Sequence, residues 1–239
     1  MNKNILLDFI NKYSLGGEIK MVVWDFNKGL LSVRGITGDK SVVIELKGKS
    51  TIMPKHFTIK SGVYNTTNLS RLLLPLDDEI ELDIIANKKM IFNDKSNTIS
   101  QYILSSISVI PTPPNLVNLP DTWEKDFVID TNLIEKIIIS SRSLPDAETF
   151  TIINDSLIIG YSSILSNQVE LPLVLNKATQ NKKMGEISFN LKAFVDFLKS
   201  HNDCDNINIR ISEQGIMRVE TENDNFHSVF YFVSTNPIT

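Results

Sequence analysis

Several groups of residues in this chain have the types that chemistry needs, and their spacing decides what each could do. Gly48-Lys49-Ser50-Thr51 ends like a phosphate-binding loop, in which backbone N–H groups cradle phosphates and a lysine reaches the outermost one. That pattern also needs a glycine five positions before Gly48, and the residue there is Val43. His201 and Cys204 could touch one metal ion, but three histidines and one cysteine in the whole chain supply too few ligands for a zinc site. Asp77-Asp78-Glu79 and the pair Asp203/Asp205 are the carboxylate groupings that hydrolases use for acid–base work. Both fall in polar turns after apolar-periodic segments, where acidic side chains are ordinarily just solvated. Ser140-Ser141 lacks a G-x-S-x-G elbow. Asn65-Thr66-Thr67 fits a glycosylation acceptor, but Met1-Asn2-Lys3-Asn4 does not open a leader's long apolar region, so the glycosylation machinery would not be met. A hydrolase built on Asp77 or Asp78 has little support. The expectation is a protein that is not an enzyme and holds no cofactor or metal.

Composition narrows the class. At 239 residues, 42% hydrophobic and 22% charged, the chain can bury one large core or two medium ones. No apolar run approaches the roughly 18 residues of a membrane span. One cysteine, Cys204, forbids an intrachain disulfide and suits a reducing compartment such as the cytoplasm. The net charge of −4 argues against an ordinary nucleic-acid binder, which carries a basic balance.

The elements that position these residues form a repeat. Residues 186–235 read as one compact unit: a strand at Glu186–Phe189, Asn190 as N-cap, then a helix with Leu191, Phe194, Val195 and Leu198 on one stripe. Three alternating strands follow, around Ile207–Ile211, Met217–Thr221 and Val229–Val233. Three earlier segments repeat the plan. The first has a helix at 3–14, stopped by Gly16-Gly17, and strands at 18–24, 30–35 and 41–47. The second has a strand near 56–64, a helix at 67–74 capped by Thr66 or Thr67, strands at 79–85 and 89–92, and a long run at 98–110. The third has a strand at 127–130, a helix at 131–143 with a capping box from Asn132 to Glu135, and strands at 149–153, 156–161 and 168–175. From each helix start to the turn between the second and third strands the distance is 23 residues for Asn4 to Asn27, 20 for Thr67 to Asn87, 23 for Thr131 to Asn154 and 23 for Asn190 to Glu213. Four of the nine prolines lie at 111–120, so residues 111–126 read as an extended connector. The expected architecture is α+β: a domain at 1–110, the connector at 111–126 and a domain at 127–239, each domain holding two βαβββ units.

Charge is unevenly spread over this plan. Each helix carries a net charge of +1, from Lys3, Lys12 and Asp8; from Arg71; from Lys136, Arg142 and Glu135; and from Lys192, Lys199 and Asp196. Four helices thus hold +4 and the remainder −8. Lysine on the wet face of an amphipathic helix is common, so the count alone is balanced between a solvated face and a binding face. Asn4, Asn11, Asn68 and Asn132 add groups that can hydrogen-bond phosphate.

Four such units around a proline-rich connector resemble the DNA sliding clamps, and among them the bacteriophage T4 type at about this length. The resemblance covers essentially the whole chain. It is carried by Gly62-Val63-Tyr64-Asn65 leading into the Leu69–Leu74 helix, by Asp77-Asp78-Glu79-Ile80, by Asp130-Thr131-Asn132-Leu133 through Ile137 to Ser141-Arg142-Ser143, and by the final hairpin from Ile216 to Val233. Bacterial clamps have a third domain and fit less well. The proliferating cell nuclear antigen type shares the two-domain plan but has a different connector. Clamps begin with a short strand before the first helix, and Met1–Asn2 leaves almost no room for one.

The resemblance implies a clamp fold closed as a homotrimeric ring, with helices lining the hole and sheets outside. Lys3, Lys12, Arg71, Lys136, Arg142, Lys192 and Lys199 would face duplex DNA through its phosphates, without base readout. Strand edges near 98–105 and 168–175 would join subunits head to tail, with Tyr102, Ile103, Leu171 and Leu173 at the junction. DNA polymerase and an ATP-dependent clamp loader would dock by a short hydrophobic peptide in a groove at Leu116, Val117, Leu119, Val233 and Pro237. The function implied is polymerase processivity in the cytoplasm, that of the host cell if a phage encodes the chain. A different class, a virion assembly protein of repeated α+β units using its apolar outer strands, would need no DNA.

Overall fold

The computed structural model describes residues 1–49, 58–115, 119–162, 166–177, 184–204 and 206–236. The chain divides into two compact units. The first holds Met1–Gly38, Val43–Pro113 and Asn223–Ser228; the second holds Asp39–Val42, Pro114–Glu222 and Val229–Thr239.

The first unit opens with helix α1, Lys3–Ser14. Asn2 caps it, its Oδ1 accepting from the N–H groups of Asn4 (2.8 Å) and Ile5 (3.3 Å), which would otherwise lack partners. Leu6, Phe9, Ile10 and Tyr13 form the buried stripe. The helix ends where Leu15 turns left-handed (φ 49°). Glu18 keeps helical angles after Gly16-Gly17, so the first strand starts at Val22 and not at the expected Glu18. Strands β1 (Val22–Asn27), β2 (Leu30–Ile36) and β3 (Val42–Gly48) follow, then β4 (Ile59–Val63), helix α2 (Thr66–Leu73), and β5 (Ile80–Ile85), β6 (Lys89–Asp94) and β7 (Ile99–Ile103). Trp24 and Tyr13 are fully buried, and the indole Nε1 donates to the Tyr13 hydroxyl at 3.2 Å, so the two largest core side chains satisfy each other's polar atoms.

The second unit contains β8 (Lys125–Asp130), helix α3 (Thr131–Ser143), β9 (Thr149–Ile153), β10 (Ser156–Ile159), β11 (Val169–Pro172), β12 (Ile187–Asn190), helix α4 (Leu191–Ser200), β13 (Asn206–Ser212), β14 (Ile216–Glu222) and β15 (Phe226–Val233). Strand β8 therefore begins at Lys125, inside the stretch read from sequence as connector. Its core is a run of rings: Phe150 stacks on Phe194 at 4.7 Å, and Phe197 meets both Phe230 (4.7 Å) and the buried His201 (4.3 Å). Lys125 is itself buried, its Nζ 2.8 Å from Asp155 in the β9–β10 turn, which ties one sheet of the unit to the other.

Sheet pairing corrects the idea of self-contained repeats. In the first unit the orders are β4-β1-β2-β3 and β5-β6-β7; in the second they are β11-β10-β9-β12 and β8-β13-β14-β15. The strand that leads into each helix therefore does not pair with the three strands after that helix. Strand β4 pairs with β1 and β12 with β9, each from the preceding repeat, while β8 pairs with β13 of the following one. Even Met1–Asn2 takes part: Asn2 bridges to Glu79, and the Met1 carbonyl accepts from the Ile80 N–H at 2.9 Å. The short lead-in thus has room for one bridge. The cause is the tight strand–helix junction. With no loop before the cap, the helix leaves from the strand's end and, at about 1.5 Å per residue, carries the chain past one sheet into the next.

The caps differ from expectation for α2 and α3. Asn65 caps α2, accepting from the Asn68 N–H, and Asp130 caps α3, accepting from the Leu133 N–H at 2.8 Å. Each helix begins one or two residues earlier than the expected capping residues allow, so Thr66, Thr67 and Asn132 are already helical. The long run expected at 98–110 breaks after Ile103. Ser105 bridges to Gly62, and residues Ile107–Val109 form a single 3-10 turn.

Candidate nucleic-acid interface

In each unit two helices pack side by side, α1 with α2 and α3 with α4. Their stripes sink into the core and leave a wet face on each pair. The basic residues on these faces are not equivalent. Lys136 and Arg142 are exposed on α3, and Arg71 is exposed on α2. None of these three has an ion pair among the described residues. On α4, Lys192 and Lys199 lie 3.1 Å and 3.9 Å from Asp196, which tethers both while leaving their side chains about half to two-thirds exposed (65% and 49%).

Two residues expected on this surface stand elsewhere. Lys12 is 1% exposed, with its Nζ 3.4 Å from Asp8 one turn earlier. It flanks the Phe9–Tyr13 stripe closely enough for its stem to be covered, and no ligand can reach it. Lys3 is 12% exposed; its Nζ donates to the Leu76 carbonyl and lies 4.0 Å from Asp78. That lysine anchors the start of α1 to the turn before β5. The wet face of α1 instead shows Asn4 and Asn11.

The acidic turn that raised the idea of hydrolysis is structural. Asp77 accepts from the Ser96 hydroxyl at 2.6 Å, and Asp94 accepts from the backbone N–H groups of Asp77 (3.1 Å) and Thr98 (2.8 Å). Desolvation pushes the Asp94 carboxyl up, but these N–H donors outweigh it and hold it below the ordinary aspartate range. A carboxyl whose pKa is depressed by folding stabilises the fold above its unfolded pKa and loses that contribution as pH falls through the folded value. Stability measured by denaturant titration should therefore fall more steeply in acid for the parent than for Asp94→Asn, and equal acid profiles would refute the role assigned to these bonds.

Strand edges form the second candidate surface. An unpaired edge is a template for another strand, so each edge matters. Edge β4 is blocked by Ser105, whose N–H reaches the Gly62 carbonyl at 2.9 Å. Edge β5 is blocked by Met1–Asn2, β8 by Leu175 bridging to Phe127, and β12 by Thr235, whose N–H reaches the Ser188 carbonyl at 2.8 Å. Of the sheet ends β4, β5, β7, β8, β11 and β12, strands β7 and β11 pair on one side only among the described residues, one in each unit.

The side chains at these edges sort by the two-residue alternation of a strand. Tyr102 is 6% exposed and faces inward; its hydroxyl accepts from the Asn65 N–H at 2.7 Å. Leu171 and Leu173 are buried at 8% and 7%. The side chains of these three face their own unit's core. Ile103 is 64% exposed, and it shares its face with Ile99 at 67%; Val174, between inward-facing neighbours, is 85% exposed. The sequence reading missed Ile99 and Val174, although alternation from Tyr102 and Leu173 would have found both. An open cavity of about 270 Å³ adjoins the β11 edge, lined by Val128, Leu133, Lys136, Leu171 and Val174 among others.

Of the expected peptide groove, Leu116, Val117 and Pro237 lie outside the described residues. Leu119 is half-buried and Val233 is 47% exposed. A different cavity, about 350 Å³, lies on the outer face of the first unit's sheet, where Ile107, Pro111 and Pro113 stand over Val23 and the ion pairs Asp25–Lys60 (3.1 Å) and Arg34–Glu45 (2.9 Å). Lys49, from the failed phosphate-loop pattern, donates from Nζ to the Asn223 carbonyl at 2.5 Å; Ser50 and Thr51 lie outside the described residues. Cys204 is buried. Among the described residues no three His, Cys, Asp or Glu side chains stand close enough to share a metal ion, and no helix is long and apolar enough to cross a membrane.

No protein-family model and no curated protein matches this sequence. The fold does have a solved counterpart: proliferating cellular nuclear antigen from Entamoeba histolytica, with a TM-score of 0.72 and 16% identity, covering 99% of this chain and 97% of that one. At that identity the likeness is one of fold. The chain is an α+β protein with the clamp fold over nearly its whole length.

Proposed function

We propose that this chain is a non-enzymatic DNA sliding clamp, of the bacteriophage T4 type, that closes head to tail as a homotrimer around duplex DNA and tethers the replicative polymerase. The observation that carries this reading is the clamp fold spanning 99% of the chain. Two features support it. Among the described residues each unit leaves one such strand edge open, β7 in the first and β11 in the second, as a heterologous ring requires. Each helix pair also turns polar, partly basic side chains outward while the chain as a whole is acidic. Phosphate contacts without base readout would let the ring slide, and topological linkage would keep it on DNA at modest affinity.

In this reading the junction side chains are Ile99, Ile103 and Val174, around main-chain pairing of β7 with β11 of the next copy. Arg71, Lys136, Arg142, Lys192 and Lys199 face DNA. The polymerase and an ATP-dependent loader dock by a hydrophobic peptide near the connector and the chain's end, where Leu119 and Val233 lie. Residues 1–110 and 127–239 act as the two clamp domains, inside the cell. The test is retention after loading: the chain should remain on nicked circular DNA and be released when that DNA is linearised. Equal retention on both forms, or assembly with no response to DNA, would overturn the proposal and favour a structural role.

A further inference from the structure

We infer that the DNA-facing surface is electrically one-sided within each subunit, the α3–α4 face of the second unit holding the phosphates while the α1–α2 face of the first is a nearly neutral arc. This rests on the clamp reading above. Sequence counting assigns the two helix pairs equal charge, +2 each. Burial redistributes it. Lys12 is neutralised by Asp8 at 3.4 Å and covered to 1% exposure, and Lys3 is held by the Leu76 carbonyl beside Asp78. A buried cation displaces no counterions from the DNA, because its charge cannot come up to a phosphate. Lys12 and Lys3 are covered to 1% and 12% exposure, whereas Lys192 and Lys199 stay exposed beside Asp196.

Arg71 is left as the exposed helix cation of the first unit, beside amides such as Asn11 and Asn68. The two helices of the second unit keep four exposed cations, beside the exposed Glu135. Two of them, Lys136 and Arg142, carry no ion pair among the described residues, and Asp196, which holds the other two, is only 18% exposed. In a closed trimer, three basic arcs would alternate with three neutral ones. Duplex DNA would then lean toward second units and pass between them over surfaces that offer hydrogen bonds but little charge. The acidic balance of the whole chain fits such sparse, low-affinity binding.

The experiment uses the full-length protein and a fluorescently labelled DNA duplex, titrated across a salt series. Removing one cation that pairs with a phosphate should reduce the slope of log K against log salt by about 0.9. Lys136→Ala with Arg142→Ala should lower the slope by about 1.8 and weaken low-salt binding about tenfold. Made singly, Lys136→Ala and Arg142→Ala should each lower the slope by about 0.9, and Arg71→Ala should lower it by clearly less than either. Asn11→Lys with Asn68→Lys places new charge on the neutral arc, needs no buried group to change, and should steepen the slope. A loss from Arg71→Ala as large as that from Lys136→Ala or Arg142→Ala alone, or no gain from the two added lysines, overturns the one-sided distribution. If Lys136→Ala/Arg142→Ala leaves binding unchanged in a protein that still assembles, the clamp reading of the helix faces fails as well, and the two failures are told apart.

Discussion

A chain carrying Ile103→Asp should remain at 27.0 kDa in solution at concentrations where the parent assembles into a species of three times that mass. The same is expected of Val174→Asp. Ile103 is 64% and Val174 85% exposed, so a carboxylate at either position costs the folded subunit little; exposed substitutions of this kind stay within about 0.5 kcal/mol. At a head-to-tail junction the same carboxylate would be desolvated beside apolar partners, a penalty of several kcal/mol and at least about 100-fold in association. Every junction of a closed ring uses β7 of one copy and β11 of the next, so either substitution damages all of them. Mixing the two variants is the sharper test. The Val174→Asp chain keeps an intact β7 face and the Ile103→Asp chain an intact β11 face, so one good junction can form. The mixture should reach a dimer and stop there. Trimers from either variant alone would refute β7–β11 pairing, as would a mixture that stays monomeric while the parent assembles.

Gly62→Ala should cost about 2–4 kcal/mol in urea denaturation, the range of an overpacked interior site that also loses a hydrogen bond. A Cβ at position 62 would stand 2.4 Å from the Ser105 carbonyl oxygen and 3.2 Å from its carbon. Both are backbone atoms, so no side-chain rotation relieves the clash. The segment after β7 would lift, breaking the 2.9 Å bond from the Ser105 N–H to the Gly62 carbonyl and drawing Ile110 from its buried position. Edge β4 would then be open, and self-association through the wrong edge should accompany the drop in stability. A change under about 0.5 kcal/mol, the size of an ordinary surface substitution, would show that the bridge contributes little.

Local pattern made much of the fold legible. Helix α1 runs over the same residues as its apolar spacing indicates, Lys3–Ser14, and α3 over Thr131–Ser143, because a buried stripe at 3.6-residue spacing is written within the helix itself. Asn190 caps α4 as read, its Oδ1 accepting from the Ala193 N–H at 2.9 Å. Strand order within each hairpin series followed from alternation and turns. The clamp resemblance came from the same repeat, and the fold likeness to proliferating cellular nuclear antigen agrees with it.

What lay beyond the sequence is what depends on partners far along the chain. Residues 186–235 look like one unit because strand, helix and strands are consecutive, yet β12 pairs with β9 some forty residues earlier. Hydrophobic period records which face of a strand is buried and says nothing of which neighbour it joins. Lys12 and Lys136 are both lysines on amphipathic helices, one at 1% exposure and one open to solvent, and only the packing around α1 separates them. Tyr102 and Ile103 are adjacent apolar residues on one strand, and the hydrogen bond from the Asn65 N–H to the tyrosine hydroxyl decides which of them is core and which is edge. The sequence by itself determined the repeated elements and the total charge, since both are sums over local residues. The tertiary structure decided which cations reach solvent and which strand edges stay open, because burial and pairing are set by groups the chain brings together only when it folds.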